Sequence, residues 1–171
     1  LHRNWGIGEL RMSYRLLMTG LGLAAALSLA ACSEPAPPPE PYNVVEVPLS
    51  QISQDLADGK TTSAEITQTY IDRINTLDGP LNGVIMIAPD ALEQAAASDE
   101  RRAAGQAIGP LDGVPILFKD NHDAVGMPTT AGSYALTENY PAQDSEVVKR
   151  LRAVGAVILG KANTSQFAGY R

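Results

Sequence analysis

Residues 109–121 read GPLDGVPILFKDN, and their reading decides the fold. Val114, Ile116, Leu117 and Phe118 make a short apolar run, with a Gly-Pro-Leu-Asp-Gly turn before it and Asp120-Asn121 after it. A brief apolar run bounded by turn signals reads as a core strand of a sheet. Lys119 sits where that strand emerges, the end at which α/β proteins keep their chemistry. By pattern alone, Lys119 reads as an ordinary solvated lysine at a strand end.

Outward from this strand, helical and extended segments alternate. Leu49, Ile52 and Leu56 fall at helical spacing and Gly59 follows as a stop. Thr62-Ser63-Ala64-Glu65 has the form of a capping box, opening a helix with Ile66, Tyr70, Ile74 and Leu77 on one face. Asp78-Gly79-Pro80 ends it, and residues 83–88 (GVIMIA) read as a strand. Asp90 with Glu93 caps an alanine-rich helix to about Ala104. Beyond Lys119 comes a loop rich in Gly, Thr and Ser through Ser133. Asp144 then caps a helix with Val147, Val148 and Leu151 as its stripe, Gly155 stops it, and residues 156–159 (AVIL) form a strand. Such alternation predicts an α/β fold with at least part of its sheet parallel.

The first 32 residues read as an address rather than as fold. Arg11 and Arg15 precede an uncharged run of sixteen residues, Leu16 to Ala31, that ends at Cys32. That run is shorter than the about 18 residues of a membrane span and fits the apolar region of an export signal. Leu29-Ala30-Ala31-Cys32 resembles the lipobox of bacterial lipoproteins, which implies lipid attachment at Cys32. Met12 is then the expected start of translation. Cys32 is the single cysteine, so no disulfide forms within one copy. Residues 33–42, SEPAPPPEPY, carry five prolines and predict a polyproline spacer that holds a domain off a membrane. Ser33 after the cysteine resembles lipoproteins sorted to the outer membrane. The expected organisation is a leader and signal over 1–32, a linker over 33–42 and the N-terminal part of a folded domain over 43–171.

Charge excludes some partners. Leaving out Arg3, Glu9, Arg11 and Arg15, which precede Cys32, takes the net charge from −6 to −8. An acidic chain whose basic clusters (Arg101-Arg102 and Lys149-Arg150-Arg152) lie on helices has no footprint for nucleic acid. GAVILGK, residues 155–161, copies the first seven positions of a P-loop. Its middle is an apolar strand, however, and Ala162 stands where a magnesium-binding Ser or Thr is needed. His122 is the one histidine after the leader and no GxSxG elbow exists, so a Ser-His-Asp site is not indicated. No ligand set for a metal is present, and no cofactor is implied.

Taken together, residues 109–121, GMPTTAGSYAL (126–136) and DSEVVKRLRAVGAVILGKANTSQFA (144–168) resemble the N-terminal part of the amidase signature family. KTTSAEITQTYIDRI (60–74) and LNGVIMIAPDAL (81–92) resemble its opening helices. The match runs from about Val47 to Arg171. It implies an α/β fold with a mixed twisted sheet covered by helices, of which this chain holds the N-terminal portion. It also implies hydrolysis of amide carbon–nitrogen bonds by a Ser-cisSer-Lys triad, in which Lys119 matches the lysine that serves as ultimate base. A lysine is a base only when neutral, and burial at a strand end would disfavour its charged form. The family's two serines lie in a Gly-Ser-rich segment downstream of GKANTSQFA, so the chain as given is expected to be inactive alone. Ser133 and Ser165 read as turn and cap residues and not as substitutes. Lys161 and Asn163 match the family's GKTNMSEFA pattern, whereas Thr164 and Gln166 depart from it, and His122 stands where the family usually carries an aliphatic residue.

Two readings follow. The first is an envelope amidase, anchored through Cys32, acting on small-molecule or peptide amides and seen here as an N-terminal fragment. The export signal and the acidic charge argue against the tRNA-amidotransferase branch of the family. The second is a non-catalytic envelope lipoprotein that binds or scaffolds.

Overall fold

The structure is a computed structural model that describes residues 40–169. The expected signal sequence, the lipobox cysteine and most of the proline spacer lie outside the described residues.

Helix α1 (Leu49–Ala57) buries Ile52 and Leu56, and Gly59 follows it at φ +68°. Helix α2 (Ser63–Leu77) starts at Thr62, whose hydroxyl accepts from the Glu65 amide at 3.1 Å. Only this half of the expected capping box forms. The Glu65 carboxylate turns away and accepts from the Tyr42 amide at 3.0 Å and the Thr61 hydroxyl at 2.8 Å, tying the incoming chain to α2. Asp78 ends α2 and accepts from the amides of Gly83 and Val84, which aims strand β1 (Val84–Ile87). Helix α3 (Ala91–Ala103) buries Ala91 and Ala95 on its inner face.

Strand β2 (Pro115–Lys119) and strand β3 (Val157–Ala162) flank helix α4 (Glu146–Ala153) in sequence. The sheet order is β1-β3-β2, with β2 parallel and β1 antiparallel to β3. The expected α/β fold with a partly parallel sheet is what forms. β3 is the middle strand and is buried from Val157 through Lys161. It also runs three residues further than the AVIL segment predicted. α2 and α3 pack on each other, α3 against β3 and α2 against β2.

Three expectations need correction. Among the described residues β2 is an edge strand of the sheet and is buried on one face only. Phe118 is buried on one face, while Leu117 and Lys119 are exposed. Asp144 does not cap α4, because Ser145 takes that position. The Asp144 carboxylate instead accepts from the Val125 amide at 2.7 Å and pairs with Arg152 at 2.9 Å. Val147 points outward, so the buried stripe of α4 rests on Val148, with Leu151 beside it.

The register between β2 and β3 contains one irregularity. Ile116 pairs with Ile158, but Leu117 pairs with Gly160, so Leu159 is an extra residue on β3. Phe118 then stands beside Lys161, and Lys119 beside Ala162. Gly160 is required here, because a Cβ would run into the Met86 carbonyl of β1.

The Leu-Asp-Gly turn before β2 also has a structural cause. Asp112 is fully buried and accepts from the Arg101 guanidinium at 2.6 Å and the Ile108 amide at 2.9 Å. Burial pushes its carboxyl up, but Arg101 and the Ile108 amide outweigh this and hold it below the usual carboxylate range.

Candidate functional site

Lys119 is the last residue of β2, at the carboxyl end of the parallel pair, where the expectation placed it. Its side chain is exposed among the described residues, so the expected burial is not provided by residues 40–169. The physical reason is register. Side chains alternate across a sheet, and Lys119 shares its face with Leu117 rather than with Phe118, the residue that enters the core.

The chain after Lys119 is tightly held. The Asp120 amide donates to the Ala162 carbonyl at 2.9 Å, extending the β2–β3 ladder by one step. The Asp120 carbonyl accepts from the Ala131 amide at 2.9 Å. Its buried carboxylate accepts from the Thr130 amide at 3.2 Å and from the Thr130 hydroxyl. The returning segment, Thr129 to Ser133, therefore lies directly beside the strand end.

Lys161 completes this arrangement from β3. Its side chain is fully buried, and Nζ lies 2.7 Å from the His122 carbonyl, 3.2 Å from Thr129 Oγ1, 3.3 Å from the Pro128 carbonyl and 3.4 Å from Asp120 Oδ1. Loss of water pushes its ammonium below the ordinary lysine range, and Asp120 only partly restores it. Residue-by-residue reading missed this centre, although it carried a signal. A lysine inside an apolar strand must be paired or functional, because burying an isolated ammonium is prohibitive.

The remaining sequence candidates separate from this site. Ser133 is buried and starts a short 3-10 turn, its hydroxyl accepting from the Ala135 amide at 3.3 Å, the turn role expected of it. Ser165 is exposed at the start of a second such turn. The His122 ring meets Phe118 edge-on, with centroids 6.1 Å apart, while its carbonyl serves Lys161. Residues 155–161 lie in and before β3, so the P-loop likeness has no phosphate-binding loop behind it. Among the described residues no three of His, Cys, Asp and Glu gather as metal ligands.

A cleft of about 260 Å³ opens beside this region, walled by Thr130, Gly132, Ser133, Tyr134, Asn163 and Thr164. Gly132 keeps the cleft wall close to the segment after β3. Its φ is +71°, and a Cβ there would lie 2.6 Å from the Thr164 carbonyl. The Phe167 amide donates to the Ala131 carbonyl at 2.7 Å and closes the same contact.

A mixed sheet with helices against it, a lysine at the end of a parallel strand and a loop folded back beside it define part of an α/β domain. The family model described as Amidase matches residues 65–170. The chain belongs to the amidase family. It is 44% identical over 126 residues to the A subunit of the glutamyl-tRNA(Gln) amidotransferase of Thermobifida fusca, covering 73% of this chain and 25% of that protein. The same subunit of Salinispora arenicola is 46% identical over 114 residues, covering 66% of this chain and 23% of the other. Among solved structures, the native peptide amidase of Stenotrophomonas maltophilia aligns with a TM-score of 0.69 and 44% identity, over 71% of this chain and 25% of that one. An amidase family protein of Bacillus anthracis aligns with a TM-score of 0.67 and 38% identity, over 72% of this chain and 25% of its own. The chain thus spans about a quarter of the length of the relatives it matches.

Proposed function

We propose that this chain supplies the lysine of a Ser-cisSer-Lys amidase and that Lys119 is the base. The observation that carries the reading is the position of Lys119 at the carboxyl end of the parallel β2–β3 pair, with the Thr129–Ser133 segment folded back beside it. In this reading the two serines belong to the Gly-Ser-rich segment expected downstream of residue 168. A serine attacks the amide carbonyl, its proton passes through the second serine to the lysine, and an acyl-enzyme forms as the amine leaves. Water then releases the acid by the reverse proton path. The base must be neutral to accept that proton, so the proposal includes cover over Lys119 by the rest of a full-length domain.

The substrate class we propose is an amide, either a peptide amide or a small carboxamide. Identity is 44% to the peptide amidase and 44% and 46% to two tRNA-amidotransferase subunits, so identity does not choose between them. The export reading chooses. Arg15, the apolar run to Ala31, Cys32 and the proline spacer support a lipid-anchored protein of the bacterial envelope, with Ser33 favouring the outer membrane, and a tRNA-dependent reaction has no substrate there.

The test is Lys119→Ala in the complete reading frame, assayed by ammonia release from a peptide amide and a small carboxamide. Turnover should fall by at least about 1,000-fold, as for loss of a general base acting on the nucleophile. Full turnover by the variant would remove Lys119 from the chemistry. Labelling with a radioactive fatty acid, lost in Cys32→Ser, tests the anchor. A complete protein with no hydrolysis of any amide would favour the non-catalytic lipoprotein.

A further inference from the structure

We propose that Lys161 is a positioning residue for Lys119, fastening the loop that leaves β2 so that the Lys119 strand end and the wall of the adjoining cleft hold one geometry. The inference rests on the reading of Lys119 as the base.

The geometry of the ammonium carries it. Of the four acceptors within 3.5 Å of Nζ, three belong to the loop that follows Lys119: the carbonyls of His122 and Pro128 and the hydroxyl of Thr129. The fourth is the carboxylate of Asp120, the very next residue after Lys119. An ammonium has three protons to give, so Lys161 is saturated by this loop alone. It gathers the loop's start, middle and return onto one point of β3.

A packing role does not account for such a residue. An apolar side chain at a buried position is commonly as stabilising as an ion pair there, or more so. A lysine is retained where the geometry of its partners matters more than the free energy of the site. The partners of Lys161 are those that define the catalytic neighbourhood. Asp120 is clamped by Ala162 on one side and Ala131 on the other. Thr129 leads into Thr130, Gly132 and Ser133, which wall the cleft. Lys161 itself faces away from Lys119, since the two stand on opposite faces of the sheet, so it acts through Asp120 and the loop and touches no reacting atom.

The experiment uses the complete enzyme and compares Lys161→Met, Thr129→Ala and Lys119→Ala with the parent. Rates are expressed per active site, counted with a slow stoichiometric acylating agent. A merely structural lesion lowers the number of titratable sites and leaves the rate per site unchanged. The positioning role instead lowers kcat per site, by about 10-fold or more for Lys161→Met and a few-fold for Thr129→Ala, with KM within about twofold, because misplacement of reacting groups acts on the chemical step. Thr129→Ala removes one neutral partner of Nζ and strands no charge, so it decides the matter if Lys161→Met does not fold. An unchanged kcat per site in Thr129→Ala, with Lys119→Ala inactive, overturns the positioning role and leaves the base in place. An active Lys119→Ala overturns both.

Discussion

Lys119 and Lys161 leave neighbouring strands of one sheet toward opposite faces, the first exposed and the second fully buried. The same side chain therefore meets two environments within a few residues of structure. On β3 the ammonium is stripped of water and compensated by the loop. On β2 it stands free among the described residues at the end of the parallel ladder. Their environments, not their residue type, separate a candidate base from a fastening.

Removing the buried ammonium should be costly to the fold. Lys161→Met leaves the Asp120 carboxylate buried without its counter-ion, and such a loss costs about 3–5 kcal/mol. Urea unfolding of the variant should show a midpoint lowered accordingly. Adding Asp120→Asn should recover part of the loss, because the uncompensated charge is then gone. An unchanged midpoint in Lys161→Met would mean that the pair contributes nothing to the folded state.

The Tyr42–Asp55–Lys60 cluster should set stability at both extremes of pH. Lys60 at 2.8 Å, with help from the Tyr42 hydroxyl at 2.7 Å, holds the Asp55 carboxyl down at about 2 from its usual 3.8. Its contribution is complete above the unfolded value and is lost as pH falls through the window from about 4 to about 2. Burial and then the hydrogen bond to Asp55 push Tyr42 up from 10.0 to about 12. That contribution is complete below pH 10 and is lost as pH rises toward 12. Thermal melts against pH should show the acid slope reduced in Asp55→Asn and the alkaline slope reduced in Tyr42→Phe.

Gly132→Ala should disturb the cleft wall more than its size suggests. The residue sits at φ +71°, and the new methyl would press on the Thr164 carbonyl at 2.6 Å. A left-handed non-glycine residue costs about 1–3 kcal/mol even without a clash. Hydrogen exchange at the Phe167 amide, which donates to the Ala131 carbonyl, should accelerate in the variant.

Arg101→Ala should destabilise the turn that feeds β2. It removes the charged partner of the fully buried Asp112, at a cost of about 3 kcal/mol by the same logic of a broken buried pair. Because the partner that holds the Asp112 carboxyl down is gone, acid sensitivity should change as well. The parent loses this contribution as pH falls below the ordinary carboxylate range, and the variant should lose less. A pH series of unfolding midpoints checks both.

Local chemistry made much of this fold legible. Gly59, Asp78-Gly79-Pro80 and Gly155 stop their helices because turn residues act through their own backbones, whatever surrounds them. The strand ending at Lys119 was legible for the same reason. What escaped was everything decided by distant partners. Glu65 abandoned its capping box for Tyr42 and Thr61, residues its own helix pattern does not reveal. Asp144 gave up the start of α4 to pair with Arg152 and Val125. The Asp120–Lys161 pair joins positions 41 apart, and only parallel pairing brings them together. Exposure of Lys119 was equally hidden, since an apolar run does not say which of its two faces the sheet will cover.

The extra residue at Leu159 has a consequence for charge. In an unbroken register Leu117 would stand beside Leu159, and Lys119 would then fall beside Lys161, two ammonium groups side by side on a single surface of the sheet. Like charges opposed in that way repel and would hold one another apart. One inserted residue turns β3 over by half its repeat, sending one lysine inward to the loop and leaving the other alone at the strand end. The separation resides in the slipped pairing after Ile116, which leaves Leu159 out of the ladder and sets Gly160 beside Leu117 and Lys161 beside Phe118.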